Sequence, residues 1–591
     1  PGFLFFKKKK KNSKDVENFT NEFQDKNIKE MIEGFNKCFT PKNVFSLLEI
    51  IPPTEITPAV ALEALKTVVK FENCKDFKRK FEAFLEDDEF DSEKNSAALN
   101  NLIDIIVTSN ENGIILEALQ LVSEDMTGEN VLSIRQKLCD EVLIRIADDR
   151  FSISEICKSA RSLLLSGNEF DIDKLWVGVI EKQNEIDEKT IMEVFRILIH
   201  VNLSRALFLK ILQKQIEVVF LKLKGDNIAE ILSILNEIKE FPLSIIRCLS
   251  NWLFIKVLDT NEEDLGAVIE GFMELPYSDE DVVQAIEKYL SSKKLDIKNP
   301  ELIAVIMDYC NKYKIRNPSI FNSCSEYFVA NAKYMTPLVL KSIFLPFGNL
   351  NYLPCNQEIF WKVLEEELME KFVHLYSEDA LDIMLSFVFL EKHPIKFIAK
   401  IFNPYFLDRL HSFKDTQHIY LIRAKLKLLD AALTLECKHY QGPLLLPDSP
   451  SNLITRDARL QNVSDHLLEI LPGLIEPEKS LASAVVLKNL PLNELYVVDI
   501  IIHPKGKPSM LHSSESWNDF TALLIHLPEH YDSTGQFLIG SQVMRKRHLR
   551  YLGLNVVDLD YNNVNSLLSD ECGLKNYLKV QMSSAEQAFP S

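Results

Sequence analysis

Five basic or potentially basic side chains fall within six positions of the stretch SQVMRKRHLRYLG (541–553): Arg545, Lys546, Arg547, His548 and Arg550. Guanidinium groups pair bidentately with phosphate and stack on bases, so such a run can grip a polyanion. The plainer reading is a helix whose cations complement its own C-terminal dipole and acids such as Asp558 and Asp560. The charge balance bears on the choice. The 591-residue chain carries a formal net charge of -19, which argues against indiscriminate coating of nucleic acid. Any polyanion must therefore be held by a local patch. This run is the densest one outside an N-terminal row of lysines.

Other residues with chemical potential are more scattered. His526 and His530, with His503 and His512 nearby, raise a transition-metal site. Without a carboxylate or thiolate partner they read better as polar strand-end residues. The ten cysteines form no CxxC pair, and Cys157, Cys248 and Cys310 sit in apolar helical patterns. They read as small buried hydrophobes in a reducing compartment, not as disulfides or a zinc site. The N-terminal PGFLFFKKKKK reads as a solvated tail or a trimmed end, with RNA or membrane-surface contact as the alternative. Its charge follows the apolar run instead of preceding it, so it is not a signal peptide. No run of 18 apolar residues predicts a transmembrane span.

The elements that must position these residues are mostly helices. Ile191, Val194, Phe195 and Leu198 form the i, i+3, i+4, i+7 stripe of an amphipathic helix. The same spacing returns at Ile228, Ile231, Leu232 and Leu235, at Leu265, Val268, Ile269 and Phe272, and at Leu302, Val305, Ile306 and Tyr309, in steps of 37 residues. It continues at Leu340, Ile343, Phe344 and Phe347, and at Leu381, Met384, Leu385 and Val388. Pairs of a second helix keep step: Ile245/Ile246, Val282/Val283, Ile320/Phe321, Ile359/Phe360 and Phe397/Ile398, with Pro242, Pro276, Pro318, Pro354 and Pro394 between. A lone hairpin cannot bury its stripe, so the units must stack. The prediction is a mainly α fold, an α-solenoid of about 37-residue helical hairpins. Near the C-terminus, YVVDIII (496–502), TALLIHL (521–527) and NVVDLDY (555–561) read as strands of a small α/β domain. Ser541 is the expected N-cap of the basic helix and Gly553 its stop. Leu549 and Leu552 should face the sheet, and most of the cations should project outward.

From Thr336 onward the residues become specific. TPLVLKSIFLPFGNLNYLPCNQEIFWKVLEEEL (336–368), with ALDIMLSFVFLEKHPIKFIAKIFNPYFLDRLH (380–411), resembles the first conserved segment of the FAST kinase domain-containing protein family. IRAKLKLLDAALTLECKHYQGPLLLP (422–447) resembles its second, and the basic stretch is similar to the end of the RAP domain that closes these proteins. The resemblance implies a tail (1–30), a helical-repeat array (31–335), two FAST segments (336–411 and 412–495), a RAP domain (496–582) and a C-terminal tail (583–591). It also implies a protein of the mitochondrial matrix that binds mitochondrial, single-stranded RNA and regulates transcript processing, stability or translation. Arg545, Lys546, Arg547, His548 and Arg550 would then be RNA contacts, with aromatics such as Trp517, Tyr531 and Tyr551 either stacking on bases or lying in the core.

The family name suggests phosphoryl transfer, yet no GxGxxG, HRD, DFG or APE series and no GxxxxGK[ST] is present, so a kinase is not expected. RAP domains resemble the PD-(D/E)xK nuclease fold, whose strand carboxylates hold a divalent cation that activates water. Asp499 stands at a plausible metal position, with Glu529 as a second carboxylate. His526 and Leu527 fall where the RAP pattern has Asp and Gly. One well-placed carboxylate is a poor Mg²⁺ site, so the expectation is no catalysis and no cofactor. The alternatives are an RNA endonuclease using Mg²⁺ or Mn²⁺ at Asp499 and Glu529, and a scaffold among RNA-granule proteins. YQGP (440–443) reads as a turn locking helices together, with ligand contact as the alternative.

Overall fold

The computed structural model of the chain describes residues 29–38, 41–73, 92–126, 129–165, 170–412, 416–445, 457–487, 495–505 and 517–587. The N-terminal lysine run and His512 lie outside them. Helices dominate these residues and a single four-stranded sheet lies near the C-terminus, so the chain is a helical-repeat protein with a small α/β module. It divides into two compact units, one ending at Leu249 and the other starting at Ser250. The sheet belongs to the second unit, together with the hairpins that precede it.

The first unit is helical. Its stripes at Ile191, Val194, Phe195 and Leu198, and at Ile228, Ile231, Leu232 and Leu235, are buried throughout, as a packed amphipathic face requires. Lys239 ends the helix Gly225–Ile238 in a left-handed conformation, φ +57°.

The second unit carries the residues that matter for function, and its helices are numbered from its start. They are α1 (Glu262–Met273), α2 (Glu280–Lys293), α3 (Pro300–Lys312), α4 (Pro318–Asn331), α5 (Pro337–Asn349), α6 (Gln357–Lys371), α7 (Ser377–Phe389), α8 (Ile395–Ile401), α9 (Pro404–His411) and α10 (Thr416–Glu436). Helices α1, α3, α5, α7 and α10 pack in sequence as one layer, and α2, α4 and α6 form a second. The repeat stripes supply the buried contacts, each fully buried anchor contributing about 1.5–3 kcal/mol. Ile359 departs from the expected pair and is exposed. Its neighbour Phe360 is buried instead, with its ring 4.9 Å from that of Phe347 and 5.1 Å from that of Phe328.

Local chemistry explains why the period is so regular. Asn299, Asn317, Thr336 and Asn403 cap α3, α4, α5 and α9 through their side chains, each followed by a proline at the first helical turn, where no N–H is needed. At the other ends Lys314, Asn351 and Glu391 adopt φ of +54°, +49° and +59°. Behind each, a backbone N–H reaches back to close the helix: Ile315 to Cys310 (2.8 Å), Tyr352 to Phe347 (2.8 Å) and Lys392 to Phe387 (3.0 Å). The orphan carbonyls beside these ends accept from side chains of neighbouring hairpins. Tyr313 donates its hydroxyl to Phe272 O and Leu275 O, and Arg316 donates to Leu350 O and Asn351 O.

After α10 come α11 (Ala458–Ile470), β1 (Lys479–Val486), β2 (Val497–Pro504), β3 (Thr521–His526), α12 (Gly540–Tyr551), β4 (Asn555–Asp560) and α13 (Glu571–Gln587). The sheet order is β1-β2-β3-β4. The first three strands are antiparallel, and β4 lies parallel to β3 after the α12 crossover. One face packs Val498, Ile501, Ala522 and Leu524 against Leu549 of α12 and Ala431 of α10. The other packs Ile500, Ile502, Leu523 and Ile525 against α11 and α13. Leu549 and Leu552 thus face the sheet side as expected.

The start of α12 differs from expectation. Ile539, not Ser541, is the N-cap, and no side chain caps the helix. The reason is close approach: a Cβ on Gly540 would overlap the carbonyl oxygen of Gly348 in α5 and touch Phe389 of α7. Gly348 in turn has no room for a Cβ against Ser386. Packing of α12 onto α5 and α7, not capping chemistry, sets where it begins. Its end follows the sequence: Gly553 has φ +95°, and Leu554 N–H closes back onto Leu549 O at 3.2 Å.

A left-handed non-glycine residue stores strain that glycine relieves, against glycine's larger entropy loss on folding. Lys239→Gly should therefore raise stability by about 0.5–1 kcal/mol, measured as a higher urea midpoint with an unchanged slope.

Candidate functional site

The site is the basic helix α12 and the carboxylates it meets. Its cations were expected to project outward; the structure places most of them inward. Arg547 and Arg545 are only 12% and 13% exposed and His548 is fully buried. Lys546 is paired with Asp558, and Arg550, half-buried, is not solvent-facing in full. The cause is that α12 lies between the sheet and helices α5, α7 and α10, so three of its sides are covered.

Glu436, the last residue of α10, is the centre of this contact. A carboxylate at a helix C-terminus opposes the helix dipole, and this one is also buried. Three donors answer it. Arg547 Nε and His548 Nε2 each lie 2.9 Å from Oε1, and His393 Nε2 lies 2.6 Å from Oε2. Burial pushes the Glu436 carboxyl up, but the hydrogen bonds from His393, His548 and Arg547 outweigh it and hold it far below the usual carboxylate range. Arg547 also donates to Val388 O (2.7 Å) and Phe389 O (3.3 Å). It closes the end of α7 much as Arg316 closes that of α5. His548 accepts from Tyr496 Oη at Nδ1 (2.9 Å) and donates from Nε2. That is the pattern of a neutral imidazole, and burial lowers its pKa accordingly.

Further along α12 the same accounting repeats. Arg545 donates to Val497 O and lies 3.5 Å from the Asp499 carboxylate. The other partner of Asp499 is the backbone N–H of Ile525, 2.9 Å away. The β2–β3 pairing stops at Ile500, and opposite this point Ala484 of β1 is left-handed, φ +51°. Asp499 therefore completes an interrupted ladder. Asp558 accepts from His526 Nε2 (2.9 Å) and pairs with Lys546. Burial raises its pKa, and these two partners more than offset that, leaving it below the ordinary value. Glu529, in the turn after β3, pairs with Arg459 of α11, which lowers its pKa. Burial, reinforced by His526 and Arg545, lowers His530 to about 4; its Nδ1 accepts from Leu527 N–H.

Asp499 and Glu529 are thus not brought together on one ligand. Each faces a different arginine. A divalent cation would have to displace Arg545, or Lys546 and His526, and no group of three His, Cys, Asp or Glu side chains converges on a metal-sized point among the described residues. The donor set does not fit Mg²⁺ or Mn²⁺. His503 stacks on Phe520, Trp517 is buried, and Tyr551 is exposed. Tyr440 Oη donates to Pro443 O at 2.9 Å, which makes YQGP a self-closed turn.

The module is fastened elsewhere as well. Lys314 Nζ donates to Glu529 O (2.5 Å), Ser533 N–H to Lys314 O (2.8 Å), and Arg316 lies 4.0 Å from the Phe537 ring centre. Most of these partners were missed in sequence. Glu436, His393 and Tyr496 lie 111, 155 and 52 positions from the α12 residues they serve or accompany. The available signal was an acid at the last turn of a predicted helix, where the dipole disfavours it.

Residues 340–411 match the family model described as FAST kinase-like protein, subdomain 1. The chain carries a FAST kinase-like subdomain. It is 31% identical over 361 residues to FAST kinase domain-containing protein 3, mitochondrial, of Bos taurus, covering 60% of this chain and 53% of that one. For the Homo sapiens protein of the same name the identity is 30% over 346 residues, covering 57% and 51%. Fas-activated serine/threonine kinase of Mus musculus is 23% identical over 329 residues, covering 51% and 62%. The chain thus spans about half the length of the FAST kinase domain-containing relatives. Their names place them in the mitochondrion. Within this chain the FAST kinase-like segment has a definite mechanical role: Gly348, Val388, Phe389, Glu391 and His393 form the platform on which α12 rests.

Two predictions follow from the charge accounting. Arg547→Met leaves Glu436 short of a cation and α7 carbonyls unmet, and should cost about 3–5 kcal/mol. Adding Glu436→Gln should recover a large part of that loss, read as a coupling energy in a double-mutant cycle of urea midpoints. The depressed His530 acts with pH in a fixed sense. Its folded pKa lies below its unfolded one, so the stability it confers is present above about 6.5 and lost as pH falls toward 4. His530→Asn should flatten the decline in urea midpoint between pH 6.5 and 4.

Proposed function

We propose that the chain is a mitochondrial RNA-binding regulator that controls transcript processing, stability or translation in the matrix without catalysing a reaction. The likeness to FAST kinase domain-containing proteins, named mitochondrial, supports the compartment. We read the α/β module as a RAP domain that serves as a structural clamp. The observation that carries the non-catalytic reading is that Asp499, Asp558 and Glu529 are each neutralised by a cation of the same chain. A hydrolytic site needs carboxylates free to hold a metal and its water. Because the cations of α12 are engaged internally, the contact with RNA is assigned to the repeat hairpins instead.

Binding of single-stranded RNA by the purified chain should weaken as salt rises. For three or four phosphate contacts the loss between 50 and 200 mM salt is roughly twenty- to fifty-fold, measurable by fluorescence anisotropy. The RNA should stay intact in Mg²⁺ or Mn²⁺. Defined fragments that vanish with Asp499→Asn would establish the endonuclease instead, and the absence of salt-sensitive affinity would establish a scaffold.

A further inference from the structure

We draw no further inference here: the strongest candidate, the outer face of the helix Arg205–Val219 in the first unit, where Leu207 and Val218 are exposed beside Lys210 and Lys214, also bears Glu217, with Arg205 and Lys222 paired to Glu240 and Glu188, so nothing in the structure shows what covers it.

Discussion

A single buried carboxylate organises the second unit. Glu436 ends α10 where the helix dipole is negative and solvent is absent, and leaving it unpaired there would cost several kcal/mol. Arg547, His548 and His393 resolve this, and they come from two different parts of the chain. The requirement therefore fixes α12 against α7 and α10, and with it the sheet that α12 covers. Arg547 contributes twice, because the carbonyls it caps at the end of α7 would otherwise be orphans. The two glycines, Gly348 and Gly540, allow the backbones to approach closely enough for these bonds to form.

This arrangement changes what a basic cluster means. Read in isolation, Arg545 to Arg550 looks like a phosphate grip. In place, Arg545 serves Asp499, Lys546 serves Asp558, and Arg547 serves Glu436. Two of these pairs also occupy Asp499 and Asp558, while Glu529 is held by Arg459 of α11. Cations and carboxylates of this surface thus answer one another within the chain.

The repeats were legible in the sequence because their cause is local and periodic. Stripes such as Leu265, Val268, Ile269 and Phe272 bury the same face from repeat to repeat, Val305 being only half-buried, and the helix starts and stops at Asn–Pro pairs and left-handed residues are set within a few positions. Three of the four strands were legible for the same reason; β1, whose residues are all half-buried, was not read. The inward placement of the α12 cations was not, because α12 is covered by helices more than a hundred residues away in sequence. Composition could count the cations of α12 but could not show which acids lay opposite. Ser541 as a cap failed similarly: local preference was overridden by the approach of Gly540 to α5.

The central claim, that the guanidinium groups of α12 are committed within the chain, can be read directly by arginine-directed chemical footprinting with mass spectrometry. Phenylglyoxal should leave Arg545 and Arg547 unmodified in the folded protein until denaturant opens it, with single-stranded RNA making no difference. Ready modification of both arginines that RNA then suppresses would contradict the account.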